Sequence, residues 1–179
     1  MTESTKAVTA VIQLSDTLSI DGYMMPDGEF RAGIAGASIL LGHGKDWFNR
    51  LASRGPKKLE ALQSAGFTGR LEPVVIPRES GTRGASRAQT INLKDLTTLI
   101  TVEALAGNKR AIALQAAFTL EGLDSRFRDA FRVEQRTPEE KRQFFGLTYE
   151  EFLEALAENR MELEQLRLLS DDLYDPDED

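Results

Sequence analysis

The sequence predicts an α+β fold in which small hairpins and short strands pack with several helices, followed by a helical, acidic C-terminal tail. Three observations support this prediction: a β-branched run at residues 7–14, a Pro26-Asp27-Gly28 turn signal, and apolar residues at helical spacing between Leu93 and Phe131. The chain has 179 residues, of which 41% are hydrophobic, and this is enough to bury a core.

The first 44 residues predict a strand, a hairpin and a short helix. Residues 7–14 (AVTAVIQL) are typical of a strand, and residues 18–23 and 29–31 flank the turn signal. Proline presets φ in that turn and glycine tolerates positive φ, so the two flanking segments are expected to pair. Residues 33–41 (GIAGASILL) predict a short helix that ends at Gly42-His43-Gly44.

The middle of the chain predicts two further short helices and two strands. Residues 45–53 (KDWFNRLAS) are expected to be helical, Gly55 ends that helix, and Pro56 opens another through residue 64. Residues 71–77 and 88–92 are strand-like. Between them lies a glycine- and serine-rich segment that we interpret as a long, basic, flexible loop.

Two long helical segments follow. Asn92 is expected to cap the first, with Asp95 at the third helical position. The second carries the clearest periodicity in the chain, and the ten residues before Glu121 contain no acid, which predicts that much of it is buried. Its apolar face consists of Ile112, Ala116, Leu120, Leu123, Phe127 and Phe131.

Two capping boxes mark the C-terminal region. Thr137 with Glu140, and Thr148 with Glu151, each have the hydroxyl and the acid three residues apart that begin a helix. We expect the last helix to end near residue 169 and the acidic end to be disordered. The predicted domains are residues 1–135, the α+β body, and residues 136–179, the helical acidic region.

Charge is unevenly distributed along the chain. The net charge is −7, but residues 45–110 carry twelve basic and six acidic groups, whereas twelve acids after Leu147 meet only Arg160 and Arg167. Such segregation is a hint of a body that binds a polyanion and bears an acidic tail. A solvated surface that happens to be segregated explains it equally simply.

The composition favours a binding protein over an enzyme. The chain has no cysteine, and its single histidine, His43, cannot build a multi-histidine metal site. We therefore predict no catalytic residue, no metal ligand and no cofactor. The alternative is a nuclease that holds Mg²⁺ through carboxylates between Asp16 and Glu29, which here flank turns. The chain start lacks signal-peptide features and no stretch has about 20 apolar residues, so we expect a cytoplasmic protein without a membrane span.

Basic residues in three places are candidates for contacts with double-stranded DNA. They lie on the short helices, in the basic loop and at the start of the longest apolar helix. Positive side chains on one face would contact phosphates, and asparagine or arginine could read base edges. Trp47, four residues before Leu51, is expected to belong to the core. The candidate residues are Lys45, Asn49, Arg50, Arg54, Lys57, Lys58, Arg78, Arg83, Arg87, Lys109 and Arg110.

The order of these segments resembles the N-terminal domain of the baculovirus repeated ORF (BRO-N) and phage antirepressor family, and more loosely KilA-N. The resemblance covers roughly residues 10–131. It is carried by Ile39-Leu40-Leu41-Gly42, by Ile91-Asn92 with Leu96, Leu99 and Ile100, and by Asn108-Lys109-Arg110-Ala111 leading to Phe118. The resemblance implies a DNA-binding or repressor-modulating function in phage, prophage or bacterial regulation.

Two functions follow from these patterns. The first is a DNA-binding transcriptional regulator of the antirepressor type, whose acidic tail would dimerise, recruit a protein partner or fold back over the basic face. The second is a protein–protein interaction module, such as an antirepressor, adaptor or assembly subunit, that binds no nucleic acid. A heptad seam in the last helix predicts a homodimer, although the same side chains could pack on the body. The seam residues are Phe152, Leu156, Leu163 and Leu166.

Overall fold

The computed structural model describes residues 7–76 and 87–172, with the backbone alone for residues 52, 54 and 160–172. The described strands are β1 (Val8–Gln13), β2 (Ser19–Met24), β3 (Phe30–Gly33), β4 (Glu72–Val75) and β5 (Arg87–Asn92). The described helices are α1 (Ile34–Leu40), α2 (Leu51–Arg54), α3 (Pro56–Ser64), α4 (Leu93–Leu105), α5 (Lys109–Phe131) and α6 (Pro138–Asp172). This mixture confirms the predicted α+β fold class.

The five strands form one antiparallel sheet in the order β1-β2-β3-β5-β4. The predicted hairpin joins β2 to β3: the Met25 N–H donates to the Glu29 carbonyl at 2.8 Å, and Gly28 adopts a φ of 87°. Asp27 accepts from the Glu29 N–H at 3.0 Å. The turn prediction is therefore confirmed in its location and in its chemistry.

Helices α1, α4, α5 and α6 contribute to one hydrophobic core against one face of the sheet. Ile20 and Ile91 from the strands pack with Leu99, Leu114 and Phe145 from the helices. Phe145 and Tyr149, from the first part of α6, belong to this core as well. Within residues 7–76 and 87–172, no helix has both the length and the apolar character needed to cross a membrane.

Two predicted helices differ from the structure. Residues 45–53 do not form one helix: the chain makes a turn, then a 3₁₀ segment at Phe48–Arg50, and only then α2. The second capping box does not start a helix either, because α6 runs without a break through Thr148, which is buried. A Thr-x-x-Glu pattern caps only where the threonine backbone is non-helical, and here burial of Phe145 and Tyr149 on one face keeps the helix continuous.

Helix α5 buries a different face from the one that its large apolar residues mark. The buried positions include Ala111, Ala113, Leu114 and Ala117. Four of the six periodic residues, from Leu120 to Phe131, are exposed. The helix itself is confirmed, and much of its first half is buried as expected.

Candidate nucleic-acid interface

Residues 42–58, here called the basic corner, connect α1 to α3. Helix α1 ends because Gly42 adopts a φ of 83°, which lets the Gly42 and His43 N–H groups donate back to the carbonyls of Ile39 and Ser38, each at 2.9 Å. The segment that follows is anchored by Phe48 and Leu51, which are buried in the core. It contains five basic residues and one acid, which makes it the most positively charged part of the described body.

A buried carboxylate holds the basic corner against the core. Glu103 in α4 is 1% exposed, and its Oε2 accepts hydrogen bonds from His43 Nε2 and Asn108 Nδ2, each at 2.9 Å. Lys58 of α3 forms an ion pair with its Oε1. Asn108 also donates to the Leu41 carbonyl at 2.9 Å. One acid therefore ties α1, α3, α4 and the start of α5 together.

The partners of Glu103 decide its protonation. Burial raises the pKa of this carboxyl, but hydrogen bonds from Lys58, Asn108 and His43 outweigh burial, and the net pKa lies below its ordinary value. Glu103 is therefore ionised at neutral pH and balances the charge of Lys58.

Trp47 forms the wall of the basic corner beside this carboxylate. Its ring stacks on His43 with centroids 4.0 Å apart and an interplanar angle of 12°, and Lys58 Nζ lies 5.6 Å from the ring centroid. Trp47 is half-buried and packs against the core from outside. The ring is therefore only partly in the core, at the border between the core and the depression.

Three predicted contact residues meet around Trp47. Lys45, Arg50 and Lys58 line a depression of about 450 Å³ with this ring, and Asp46 is the acid in its wall. Arg50 and Asp46 form an exposed ion pair with 3.7 Å between Nη2 and Oδ2. The depression thus carries an excess of positive charge, although two of its three cations have an acidic neighbour.

The other predicted cations on the helices have different surroundings. Lys57 and Asn49 are exposed beside the depression. Arg110 lies against loop 42–44, since a Cβ on Gly42 would be 3.0 Å from Arg110 Cδ. Lys109 is engaged inside the protein, because its Nζ donates to the Leu156 carbonyl of α6 at 2.8 Å.

The strand and loop cations are not brought to the basic corner by the described structure. Arg87 is exposed at the start of β5, where it pairs with Val75 of the edge strand β4. Arg78, Arg83 and the predicted basic loop lie outside the described residues, as does the side chain of Arg54.

Of the four residues predicted to form an oligomerisation seam, two have side chains that the structure describes. Phe152 is exposed, at 41%, and Leu156 is half-buried near α5. The side chains of Leu163 and Leu166 lie outside the described residues.

The carboxylates considered for a metal serve the local structure instead. Asp16 faces Arg142 at 3.4 Å, Glu29 pairs with the buried Arg31 at 2.9 Å, and Asp27 closes the hairpin turn. Among residues 7–76 and 87–172, no group of three histidine, aspartate or glutamate side chains is placed to hold a metal ion.

Sequence reasoning did not identify Glu103 and Asn108 as parts of this site. One signal was present: Glu103 is the only acid between Asp95 and Glu121, within a segment otherwise rich in apolar residues. An isolated acid on an apolar helix needs a partner when it is buried.

Comparison of the chain with protein-family models, with curated proteins and with solved structures finds no match.

Proposed function

We propose that this protein is a DNA-binding regulator that contacts the phosphate backbone of double-stranded DNA with the basic corner. The observation that carries the proposal is the depression around Trp47, whose lining includes the exposed predicted contact residues Lys45 and Arg50. Phosphate binding needs cations that can reach one surface together. Lys57, next to Lys58 in sequence, and Arg110, beside Gly42, are exposed and would extend this surface.

Ion pairing narrows the set of residues that would bind DNA. Lys58 balances the buried Glu103, and Lys109 is held by α6, so neither has a charge available without breaking an internal contact. Arg50 has an exposed partner, and such pairs are worth little in water, so a phosphate could replace Asp46. We therefore assign the contacts to Lys45, Arg50, Lys57 and Arg110.

Salt dependence of binding tests the proposal. Each phosphate contact contributes about −0.9 to the slope of log affinity against log salt concentration. The double variant Lys45→Ala/Lys57→Ala should make this slope shallower by about 1.8, measured by anisotropy of a labelled duplex over a salt series. Trp47 is the only tryptophan, so its fluorescence reports independently whether the duplex reaches the corner.

A charge-matched control separates specific placement from net charge. Arg70→Ala/Lys94→Ala removes two exposed cations outside the basic corner and should leave the slope nearly unchanged. Equal losses in both double variants, or a wild-type affinity that does not respond to salt, would refute the proposed interface.

The alternative function, a protein-interaction module, is favoured by a separate observation. The exposed apolar residues of α5 lie outside the basic corner and need a hydrophobic partner to be buried. This surface is compatible with DNA binding by the corner.

A further inference from the structure

One face of α5 exposes a continuous row of apolar side chains, here called the α5 stripe. It consists of Ile112, Ala116, Leu120, Leu123, Phe127 and Phe131. Exposure rises along the helix from 42% at Leu120 to 63% at Phe127 and 74% at Phe131. Contiguous apolar patches of this kind mark interaction sites in folded proteins.

No segment outside the described residues is suited to cover the stripe. Residues 1–6 contain one apolar side chain, Met1, and residues 77–86 contain no large apolar side chain. Helix α6 runs antiparallel to α5 and passes Lys109 at Leu156, so its last 16 residues extend about 24 Å away from Phe131. Leu120 lies about 16 Å further along α5 from Lys109, so it is about 40 Å from the end of α6 along the helix axis. Residues 173–179 span at most ~25 Å and therefore cannot reach the exposed part of the stripe from Leu120 to Phe131.

We propose that the α5 stripe binds the α5 stripe of a second copy of this chain, with the two helices antiparallel about a two-fold axis. The residues of the stripe are separated by four, four, three, four and four positions, a spacing that is identical in both directions along the helix. A two-fold axis between Leu120 and Leu123 therefore sets Leu120 opposite Leu123 of the partner subunit. It also sets Ala116 opposite Phe127, and Ile112 opposite Phe131. This self-complementarity is what an isologous interface requires.

The shapes of the two halves of the stripe also match. A groove of about 440 Å³ lies along the first half, lined by Ile112, Ala116, Leu120, Leu123 and Phe152 with two polar neighbours. The second half projects the two most exposed side chains of the stripe, Phe127 and Phe131. The two-fold axis brings the projecting half of each copy to the groove of the other. Large aromatic side chains in such grooves dominate interface energies.

Charge presents no obstacle to this pairing. The positions that flank the stripe on its exposed side are Gln115, Thr119 and Arg126. The two Arg126 side chains would be separated by about 13 Å along the helix axis, which is beyond the Debye length at physiological salt. The acid-rich second half of α6 points away from the stripe. Along the stripe itself, the proposed interface is thus apolar, with Arg126 as the charged residue among these flanking positions.

Sedimentation equilibrium of the full chain at micromolar to tens of micromolar concentration tests the proposal. The wild type should have twice the monomer mass of 19.9 kDa. Leu123→Arg places a charge beside the axis on a side chain that is already 47% exposed, so the variant should keep its helical content by circular dichroism and become monomeric. Leu147→Arg is the matched control, because Leu147 is 73% exposed on α6 and lies outside the stripe and its groove. It should remain a dimer.

Cross-linking provides a second measurement. The chain has no cysteine, so Leu123→Cys introduces a unique thiol near the axis, which a short bifunctional maleimide should link to its counterpart. Leu147→Cys should remain uncrosslinked under the same conditions. A monomeric wild type, a dimer that survives Leu123→Arg, or equal cross-linking of both cysteine variants would overturn the proposal.

Discussion

At the scale of single residues, Glu103 shows how a charge is retained inside the core. Its carboxylate is 1% exposed and has three side-chain donors, two of them, His43 and Lys58, from segments distant in sequence and the third, Asn108, five residues further along the chain. Burying a charge is tolerated only when partners replace the lost water. Removing one member of such a group leaves the others unsatisfied, which costs more than the pair contributes.

Glu103→Gln is expected to destabilise the protein by about 1–3 kcal/mol at neutral pH, because it leaves the Lys58 ammonium without its counter-charge. Chemical denaturation at pH 7 measures this change. His43 and Asn108 can still donate to the amide oxygen, so the fold itself should persist. Lys58→Met is the informative companion, since it removes the charge of the partner and should also destabilise.

The effect of Glu103→Gln on the free energy of unfolding should depend on pH. The pKa of Glu103 is lower in the folded than in the unfolded protein, so its ionised form stabilises the fold above the unfolded pKa. That stabilisation is lost as the pH falls through the folded pKa. The difference in unfolding free energy between wild type and Glu103→Gln should therefore shrink across the acid window that begins near pH 5. A difference that is constant across this window would show that ionisation of Glu103 contributes nothing.

The sequence shows which residues of the basic corner carry positive charge, but it does not predict which partners those residues contact. Lys45, Lys57 and Arg110 are exposed as the sequence suggested. The pairing of Lys58 with Glu103 spans 45 residues of sequence, and Lys109 meets a backbone carbonyl in α6. No local pattern encodes such partners, because they depend on which helices the core brings together.

At the scale of secondary-structure elements, the start of α6 depends on a capping box. The Glu140 N–H donates to Thr137 Oγ1 at 3.2 Å, and Glu140 Oε2 accepts from the Thr137 N–H at 2.8 Å. These bonds satisfy two donors that a helix start leaves unpaired. Hydrogen bonds from the Thr137 backbone and side chain hold the pKa of Glu140 below its ordinary value.

Thr137→Ala should therefore cost about 1 kcal/mol of unfolding free energy. Thr97→Ala is the matched control. Thr97 lies inside α4, where its hydroxyl only bonds back to the Leu93 carbonyl at 2.8 Å, and alanine is a better helix former. Its unfolding free energy should be unchanged or slightly higher. Equal losses in the two variants would indicate that the capping box does not stabilise α6.

Elements defined by local chemistry were predictable, and those defined by distant packing were not. The hairpin turn and the Asn92 cap, whose side chain accepts from the Asp95 N–H at 2.7 Å, follow from residues adjacent in sequence. The sequence did not predict which face of α5 is buried. That face contains small side chains such as Ala113 and Ala117, and these contribute less to the hydropathy pattern than the larger side chains of the exposed stripe. The unbroken α6 likewise depends on the core that receives Phe145.

At the scale of the whole molecule, the sequence segregates positive charge in the basic corner from negative charge in the last twenty residues. Residues 160–179 contain eight acids and two arginines, so a chain ending at residue 159 changes the net charge from −7 to −1. The described contacts that hold α6 to the body, such as that of Lys109 with Leu156, precede the cut. The shortened chain should therefore unfold at nearly the same temperature.

This truncation should raise the affinity for duplex DNA, because the removed acids repel phosphates over distances that low salt does not screen. The gain should be several-fold at low salt and should fade as the Debye length contracts to about 8 Å at physiological ionic strength. Lys45 and Lys57 should contribute as much to the slope of log affinity against log salt in the shortened chain as in the full chain. Introducing the double alanine variant into the shortened chain measures this contribution. Weaker binding after truncation would show that residues 160–179 contribute to the interface, and would contradict the assignment of DNA contacts to the basic corner alone.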